Sequence, residues 1–422
     1  MIIEGSIDRA KSLYQEYPAQ FWVVIGSSFI DRLGGALMFP FFSLYITKHF
    51  GVGMTEVGIL ISLFSVTGMI GTTLGGALTD YIGRKGMILI GLVVSGLTSL
   101  GMGLVNTLPL FYLMGVISGL FADAAGPARQ ALLADVLPEN KRADGFGIMR
   151  VVMNLAVAIG PAIGGLLAAS SYLLLFVIDT ISSLITAVIV QRAIKETRPE
   201  SEPDADERAG FGTTLRGYFQ VLRDSPFMVF LLFSLLSTVV YTQMYSSLSV
   251  YLRDVHLVPE QGFGMIMSLN AALVVLFQFP ITRSIKKYPA MLIMAAGNFL
   301  YAVGFGMYGV VSSYSWFLTA MVIITVGEML TAPTGQAIVA RFAPENMRGR
   351  YMAVMGFSWM IPSAVGPLGA GLLMDHADPR WVWYLCGVLG LITVLGFLGL
   401  NRRNPAAGQN SPAREEVKCS TA

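Results

Sequence analysis

Charge is what this sequence has least of. Lys, Arg, Asp and Glu make up 13% of the 422 residues, where a soluble domain carries about a quarter, and so little charge cannot coat a water-facing surface. There are only two cysteines, Cys386 inside a hydrophobic run and Cys419 in the polar carboxy-terminal stretch. They exclude a disulfide framework and a cysteine metal cage, and both read as free thiols. The three histidines, His49, His256 and His376, have no His-x-x-Glu-His spacing, and neither a nucleophile elbow nor a glycine-rich phosphate loop occurs. An enzyme built on metal or acyl-transfer chemistry, and direct use of ATP, therefore have no residues to rest on. No catalytic group, metal site or cofactor is expected. The net charge of +2 is spread over short clusters and forms no basic stripe, so nucleic acid is not an expected partner.

What is present is apolar length. Hydrophobic residues make up 54% of the chain, with 46 glycines and 19 prolines among the helical runs, a mixture that membrane helices tolerate. The first twenty residues are polar and the run after them is too long for a signal-peptide core, so no cleaved leader is expected. Runs of about 20 apolar residues, enough to cross a bilayer, lie near 20–47, 54–81, 87–106, 108–136, 144–170, 172–193, 226–252, 259–285, 289–311, 315–343, 349–374 and 380–401. The Pro-, Glu- and Asp-rich stretch after the sixth has the composition of a solvated linker. The expected organisation is a first six-helix bundle over 1–193, a linker over 194–225, a second bundle over 226–401 and a tail over 402–422.

Lysine and arginine set the orientation. Of the 28, only Lys48, Arg253 and Arg380 fall in the loops opposite the termini, and Arg32, Arg129 and Arg150 fall inside helices. All others lie on the side of the termini, which the positive-inside rule makes cytoplasmic. Shifting the sequence by 206 places Pro127 on Pro333, Gln130 on Gln336, Pro138-Glu139-Asn140 on Pro344-Glu345-Asn346 and Gly160-Pro161 on Gly366-Pro367. One offset over forty residues marks an internal duplication, and duplicated membrane halves enclose a solute site near the midplane.

Between the second and third runs stands Gly76-Ala77-Leu78-Thr79-Asp80-Tyr81-Ile82-Gly83-Arg84-Lys85. Two glycines permit a tight turn and close helix packing, Asp80 can pair with a base, and Arg84 is a rigid multi-donor fork. This stretch resembles the signature loop of the major facilitator superfamily, which implies a conformational latch over Gly76, Asp80, Gly83, Arg84 and Lys85, with Asp135 as acidic partner. The second-half copy, Phe279 to Tyr288, keeps Arg283, Lys286 and Lys287 but neither glycine nor the aspartate. Ala156 to Gly165 resembles the antiporter motif of the family's drug-export branch through Gly160, Pro161, Gly164 and Gly165, with Ala156 where that motif has glycine. Glycine and proline there bend and pack the helix. The branch's arginine early in the fourth helix aligns with Gly115, so coupling through that position is not expected. The resemblance implies an all-α integral membrane protein, twelve transmembrane helices in two pseudo-symmetric six-helix bundles. It further implies a monomeric, multi-pass exporter in the inner or plasma membrane.

Ionisable groups inside lipid cost about 2.5–3.5 kcal/mol each on insertion scales and are functional candidates by default. Asp31, Asp123 and Glu328 fall near mid-membrane, each able to carry a proton or meet a cationic substrate. Arg32 stands beside Asp31 and is expected to hold it ionised, and Arg129 or Arg150 could neutralise Asp123. Asp179 is expected to be structural. Phe39, Phe42, Tyr45, Tyr241, Met244, Tyr245, Phe277 and Trp359 offer an adaptable apolar lining. The expected activity is proton-coupled export of hydrophobic or amphipathic compounds by alternating access, with small or lipid-like molecules, protons and the bilayer as partners. A lipid or lysolipid exporter and a sugar or metabolite symporter are alternatives within transport, and a membrane enzyme is the weaker alternative outside it.

Overall fold

The computed structural model describes residues 14–197, 219–344 and 347–403, apart from the side chains of Ala77, Asp80, Ala143 and Arg348. Most of the expected linker and tail lies outside these residues. Among the described residues, twelve helices are long and apolar enough to cross a membrane. They are α1 (Ala19–Phe50), α2 (Met54–Ile82), α3 (Arg84–Leu104), α4 (Leu108–Val136), α5 (Arg142–Ser170) and α6 (Tyr172–Ala193). After the linker come α7 (Ser225–Ser246), α8 (Glu260–Ile285), α9 (Ala290–Tyr308), α10 (Tyr314–Phe342), α11 (Arg348–His376) and α12 (Arg380–Arg403). All twelve expected runs are helices, with ends shifted by a few residues, where helix boundaries are softest.

Two of these helices break in the same place. Pro40, which has no N–H to donate, sits in a 3-10 turn, Phe39–Phe41, that interrupts α1. In α7 the break falls at Ser247, after which the chain runs on as a short helix, Leu248–His256. The offset of 206 puts Pro40 on Ser246, and it also puts Gly51 on Leu257. Gly51 (φ 64°) and Leu257 (φ 56°) both turn left-handed to end their helices. The duplication is therefore written into backbone geometry, even where the second copy has a β-carbon at a position that suits glycine.

Packing gathers the helices into two compact units whose limits differ from the sequence repeat. The first comprises residues 1–203, 243–271 and 363–377; the second comprises 204–242, 272–362 and 378–422. In the first unit, Phe21, Val24, Leu92, Leu132 and Val190 form a core at the end where α1 begins, here called the near end. At the opposite, far end, α5 meets α8 and α2 meets α11 backbone to backbone. A Cβ on Gly264 would lie 3.0 Å from the Pro161 carbonyl oxygen and 3.0 Å from Gly165 Cα. A Cβ on Gly58 would lie 2.8 Å from the Pro367 carbonyl oxygen, and Gly371 faces the Met54 carbonyl. Pro161 and Pro367, Gly264 and Gly58, and Gly165 and Gly371 are all repeat partners. In lipid, such approaches of small residues supply the van der Waals contact that holds helices together.

In the second unit, Phe227, Phe230, Met291, Ile338, Val354 and Phe397 form the core. Asp224 caps α7, accepting the Phe227 N–H at 3.2 Å and the Tyr351 hydroxyl at 2.7 Å.

Because a β-carbon in the left-handed region costs about 1–2 kcal/mol and Leu257 is 85% exposed, Leu257→Gly is expected to raise the thermal unfolding temperature of the purified protein. A lowered temperature would mean that the leucine side chain is held by contacts worth more than the backbone relief.

Candidate functional site

At the near end, the turn between α2 and α3 is fixed by one residue. Gly83 has φ 95°, and a Cβ there would come within 2.5 Å of Glu196 Oε2. That carboxylate caps α3, accepting the backbone N–H of Arg84 at 2.9 Å and of Lys85 at 3.1 Å. A negative charge on a helix N-terminus is favoured by the free N–H groups and the helix dipole. Arg84 Nε lies 3.0 Å from Asp135 Oδ2, and Thr197 donates its hydroxyl to the same oxygen at 2.8 Å. Lys85 Nζ turns away to the Gln191 carbonyl at 2.7 Å. The structure thus brings Gly83, Arg84 and Asp135 together and adds Glu196 and Thr197, which the motif did not point to. Asp80 has no described side chain. Gly76 does not pack closely as expected: among the described residues nothing lies within 4 Å of a Cβ built there.

The three motif glycines of α5, Gly160, Gly164 and Gly165, are all in contact. A Cβ on Gly160 would lie 2.6 Å from Ala36 Cβ, Gly164 lies against the Leu37 carbonyl and Phe41, and Gly165 meets Gly264. Pro161 stands inside the helix. One short stretch therefore binds α5 to α1 on one side and to α8 on the other.

The mid-membrane acids lie beside two further prolines. Pro127 in α4 and Pro333 in α10 are repeat partners, and each leaves the carbonyl four residues earlier without its helical donor. These are the carbonyls of Asp123 and Met329. Thr72 of α2 points its hydroxyl at Asp123 O (3.4 Å), and Gln278 of α8 donates its amide to Met329 O at 3.2 Å. Thr72 and Gln278 are again 206 residues apart. Asp123 is exposed, its carboxylate lying over the bare backbone of Gly68. Glu328, one residue before Met329, is half-buried and accepts the Tyr241 hydroxyl at 2.8 Å. The Tyr241 ring contacts Tyr301 and Trp359, with centroids 5.8 and 5.7 Å away.

Asp31 is paired, but not as its neighbour in sequence suggests. Its Oδ2 lies 2.9 Å from Arg129 Nη1 of α4, and its Oδ1 accepts the Ser183 hydroxyl of α6 at 3.0 Å. Arg32 is exposed and takes no part, since successive residues on a helix point about 100° apart and do not face one another. The ion pair that Arg129 makes is thereby with Asp31. Of the proposed aromatic and methionine lining, Phe42, Tyr45 and Met244 are core residues, whereas Phe39, Phe277 and Trp359 are exposed. Among the described residues no group of three His, Cys, Asp or Glu side chains is placed to hold a metal.

Twelve membrane-length helices, a duplication visible in helix breaks and interhelical contacts, and charges set at mid-helix prolines define a multi-pass membrane transporter and not an enzyme. The chain belongs to the Major Facilitator Superfamily, whose sequence profile matches residues 24–263 and 256–420. It is similar to a Na(+), Li(+), K(+)/H(+) antiporter of Planococcus maritimus, 27% identical over 86% of this chain and 91% of the relative. It is also similar to the quinolone resistance protein NorA of Staphylococcus aureus, 24% identical over 89% and 96%. Its fold matches the crystal structure of the nucleoside transporter NupG with a TM-score of 0.78 at 14% identity, over 90% of this chain and 99% of that one.

The two motif glycines, Gly76 inside α2 and Gly83 in the α2–α3 turn, should now separate. Gly83→Ala forces a β-carbon into positive φ, about 1–2 kcal/mol, and displaces the Glu196 cap, whereas Gly76→Ala enters open space and relieves about 1 kcal/mol of helix penalty. Unfolding temperatures in one detergent should fall for Gly83→Ala and hold or rise for Gly76→Ala; the reverse order would contradict the loop geometry.

Proposed function

We propose that this chain is a proton-coupled antiporter that exports hydrophobic or amphipathic compounds by alternating access. It works as a monomer in the cell membrane with both termini in the cytoplasm. The observation that carries the reading is the hydrogen bond from Tyr241 to Glu328 in the middle of α10. A phenol hydroxyl donates to a carboxylate and can also accept from a protonated acid, so the same partner serves Glu328 whether or not it holds a proton. Its aromatic neighbours supply an apolar wall for the body of a greasy solute. Asp123, at almost the equivalent position of the other half, offers a second, exposed carboxylate suited to a cationic group.

The cycle follows from these parts. The solute is held mainly by the aromatic wall, Glu328 gains and loses its proton once in each cycle, and the protonated, neutral state permits return of the empty carrier. Arg84 with Asp135 latches the near end when that end closes, and the α5 glycines limit leak past α1 and α8. Two relatives, an ion/proton antiporter and a quinolone resistance protein, support proton exchange and export respectively. A second reading, exchange of alkali cations for protons, is favoured by the first of those relatives alone.

The test is flux in liposomes with an imposed proton gradient, using a cationic dye, a neutral hydrophobic dye and a fluorescent lysolipid, with sodium, lithium and potassium in parallel. Glu328→Gln mimics the protonated acid, so gradient-driven dye flux should fall to the level of empty liposomes while dye binding persists. Asp123→Asn should weaken the cationic dye more than the neutral one. Full gradient-driven flux in both variants would remove these acids from the coupling, and cation exchange without dye movement would replace this reading by the second.

A further inference from the structure

Within the second unit, the partner of Glu328 has a support of its own. The Tyr241 ring, whose hydroxyl reaches Glu328, lies against the buried ring of Tyr301 of α9, 4% exposed, and the outer ring of Trp359 of α11. The Tyr301 hydroxyl stands 3.1 Å from Thr331 Oγ1 of α10. A threonine hydroxyl has one hydrogen, and that of Thr331 turns back onto its own helix, with the Gly327 and Glu328 carbonyls at 3.1 and 3.3 Å. Tyr301 is therefore the donor and Thr331 the acceptor. The flank of the same ring rests on bare backbone: a Cβ on Gly327 would lie 3.0 Å from Tyr301 Cδ1 and 2.8 Å from the Gly297 carbonyl oxygen.

The duplication shows that this support is an addition to the fold and not a requirement of it. α9 meets α10 as α3 meets α4: a Cβ on Gly297 would lie 3.0 Å from the Gly327 carbonyl oxygen, and one on its repeat partner Gly91 would lie 3.1 Å from the Phe121 carbonyl oxygen. On that common backbone the side chains differ together. Tyr241, Tyr301, Gly327, Glu328 and Thr331 stand where the first half has Gly35, Ser95, Phe121, Ala122 and Ala125. The aromatic bulk sits on α4 in the first half and on α9 in the second, Gly327 leaves room for it there, and Thr331 supplies an acceptor that Ala125 lacks. The half with no acid at this place has none of the other four residues either.

We propose that Tyr301 and Thr331 are positioning residues for Glu328 and act on it through Tyr241. Their hydrogen bond holds the Tyr301 ring, that ring fixes the tilt of Tyr241, and the tilt sets where the Tyr241 hydroxyl stands relative to the Glu328 carboxylate. A hydrogen bond weakens steeply with distance and angle, so a functional group is only as well placed as the residues behind it. The positioning stands on this geometry, and its use in transport rests on the proton-coupled reading of Glu328.

The test is infrared spectroscopy of the purified full-length protein in detergent, following the carboxyl band that Glu328→Gln removes. Tyr241→Phe should shift that band. Tyr301→Phe, which keeps the ring, and Thr331→Val, which keeps the shape, should each shift it in the same direction, whereas Thr331→Ser restores an acceptor and should hold the wild-type position. In a Tyr241→Phe background neither Tyr301→Phe nor Thr331→Val should shift it further. Loss of packing alone would lower the unfolding temperature and leave the band in place. A band unmoved by Tyr301→Phe or Thr331→Val, or moved as far by Thr331→Ser as by Thr331→Val, would overturn the proposal. So would a further shift in the Tyr241→Phe background, which would mean that the two residues reach Glu328 by another route. The band reports the surroundings of Glu328 without transport, so full gradient-driven flux in Glu328→Gln would defeat the function proposed above and leave the positioning standing.

Discussion

A proline inside a membrane helix leaves a carbonyl without a donor, and lipid supplies none. In this protein that constraint falls twice at the same level, at Asp123 in α4 and Met329 in α10, and a side chain from the adjacent helix answers it each time. Thr72 and Gln278 thereby tie α2 to α4 and α8 to α10 at mid-membrane, where the helix ladder is weakest. Asp123 and Glu328 sit at that weak point. The backbone demand thus fixes which helices are neighbours, and the neighbours fix what surrounds the acids.

The far end follows a second rule, that helices in lipid adhere where small residues let backbones touch. Pro161 on Gly264 and Pro367 on Gly58 are one contact made twice. The polar groups around them have diverged. Asp375 of α11 caps α2, accepting the N–H of Met54 at 2.9 Å and of Thr55 at 2.7 Å. The first residue of α8, Glu260, is itself acidic and is held by Lys48 at 3.2 Å and Tyr172 at 2.9 Å. Duplication set the backbone contact, and each copy then found its own way to neutralise a helix start.

Hydrophobic length sufficed to place twelve helices, because a bilayer-spanning run has almost no soluble imitator. The offset of 206 was equally legible, since Pro, Gly, Glu and Asn matches cannot arise from apolar bias. What stayed hidden were partners distant in sequence. Glu196 and Asp375 lie beyond the motifs whose helices they cap, and nothing in a carboxylate's own neighbourhood announces the N-terminus it will find. Asp31 was misread for a related reason: adjacency to Arg32 looks like pairing on the page, whereas helical geometry sends the two side chains apart and brings Arg129 from another helix. The break in α1 had a visible cause in Pro40, but its counterpart at Ser247 carries no proline and could be found only through the repeat.

The repeat also supplies an internal control on the charges. At the offset of 206, Asp31 corresponds to Ser237, Arg129 to Gly335, Asp123 to Met329 and Asp179 to Leu385, while Glu328 corresponds to Ala122. In every case one half carries the ionisable group and the other, built on the same helix arrangement, carries a neutral residue. Ser237 and Met329 are buried there, at 7% and 1% exposure, so the neutral versions pack without difficulty. The scaffold therefore does not need these charges to form, and each adds about 2.5–3.5 kcal/mol to the cost of insertion. Groups that the fold can do without, at that cost, are the first places to look for function. They are also divided between the halves: the first holds acids around an arginine, and the second holds an acid against a phenol. Halves that began alike thus present different polar chemistry on equivalent helices, Asp31 on Arg129 in one and Glu328 on Tyr241 in the other, which identical halves could not.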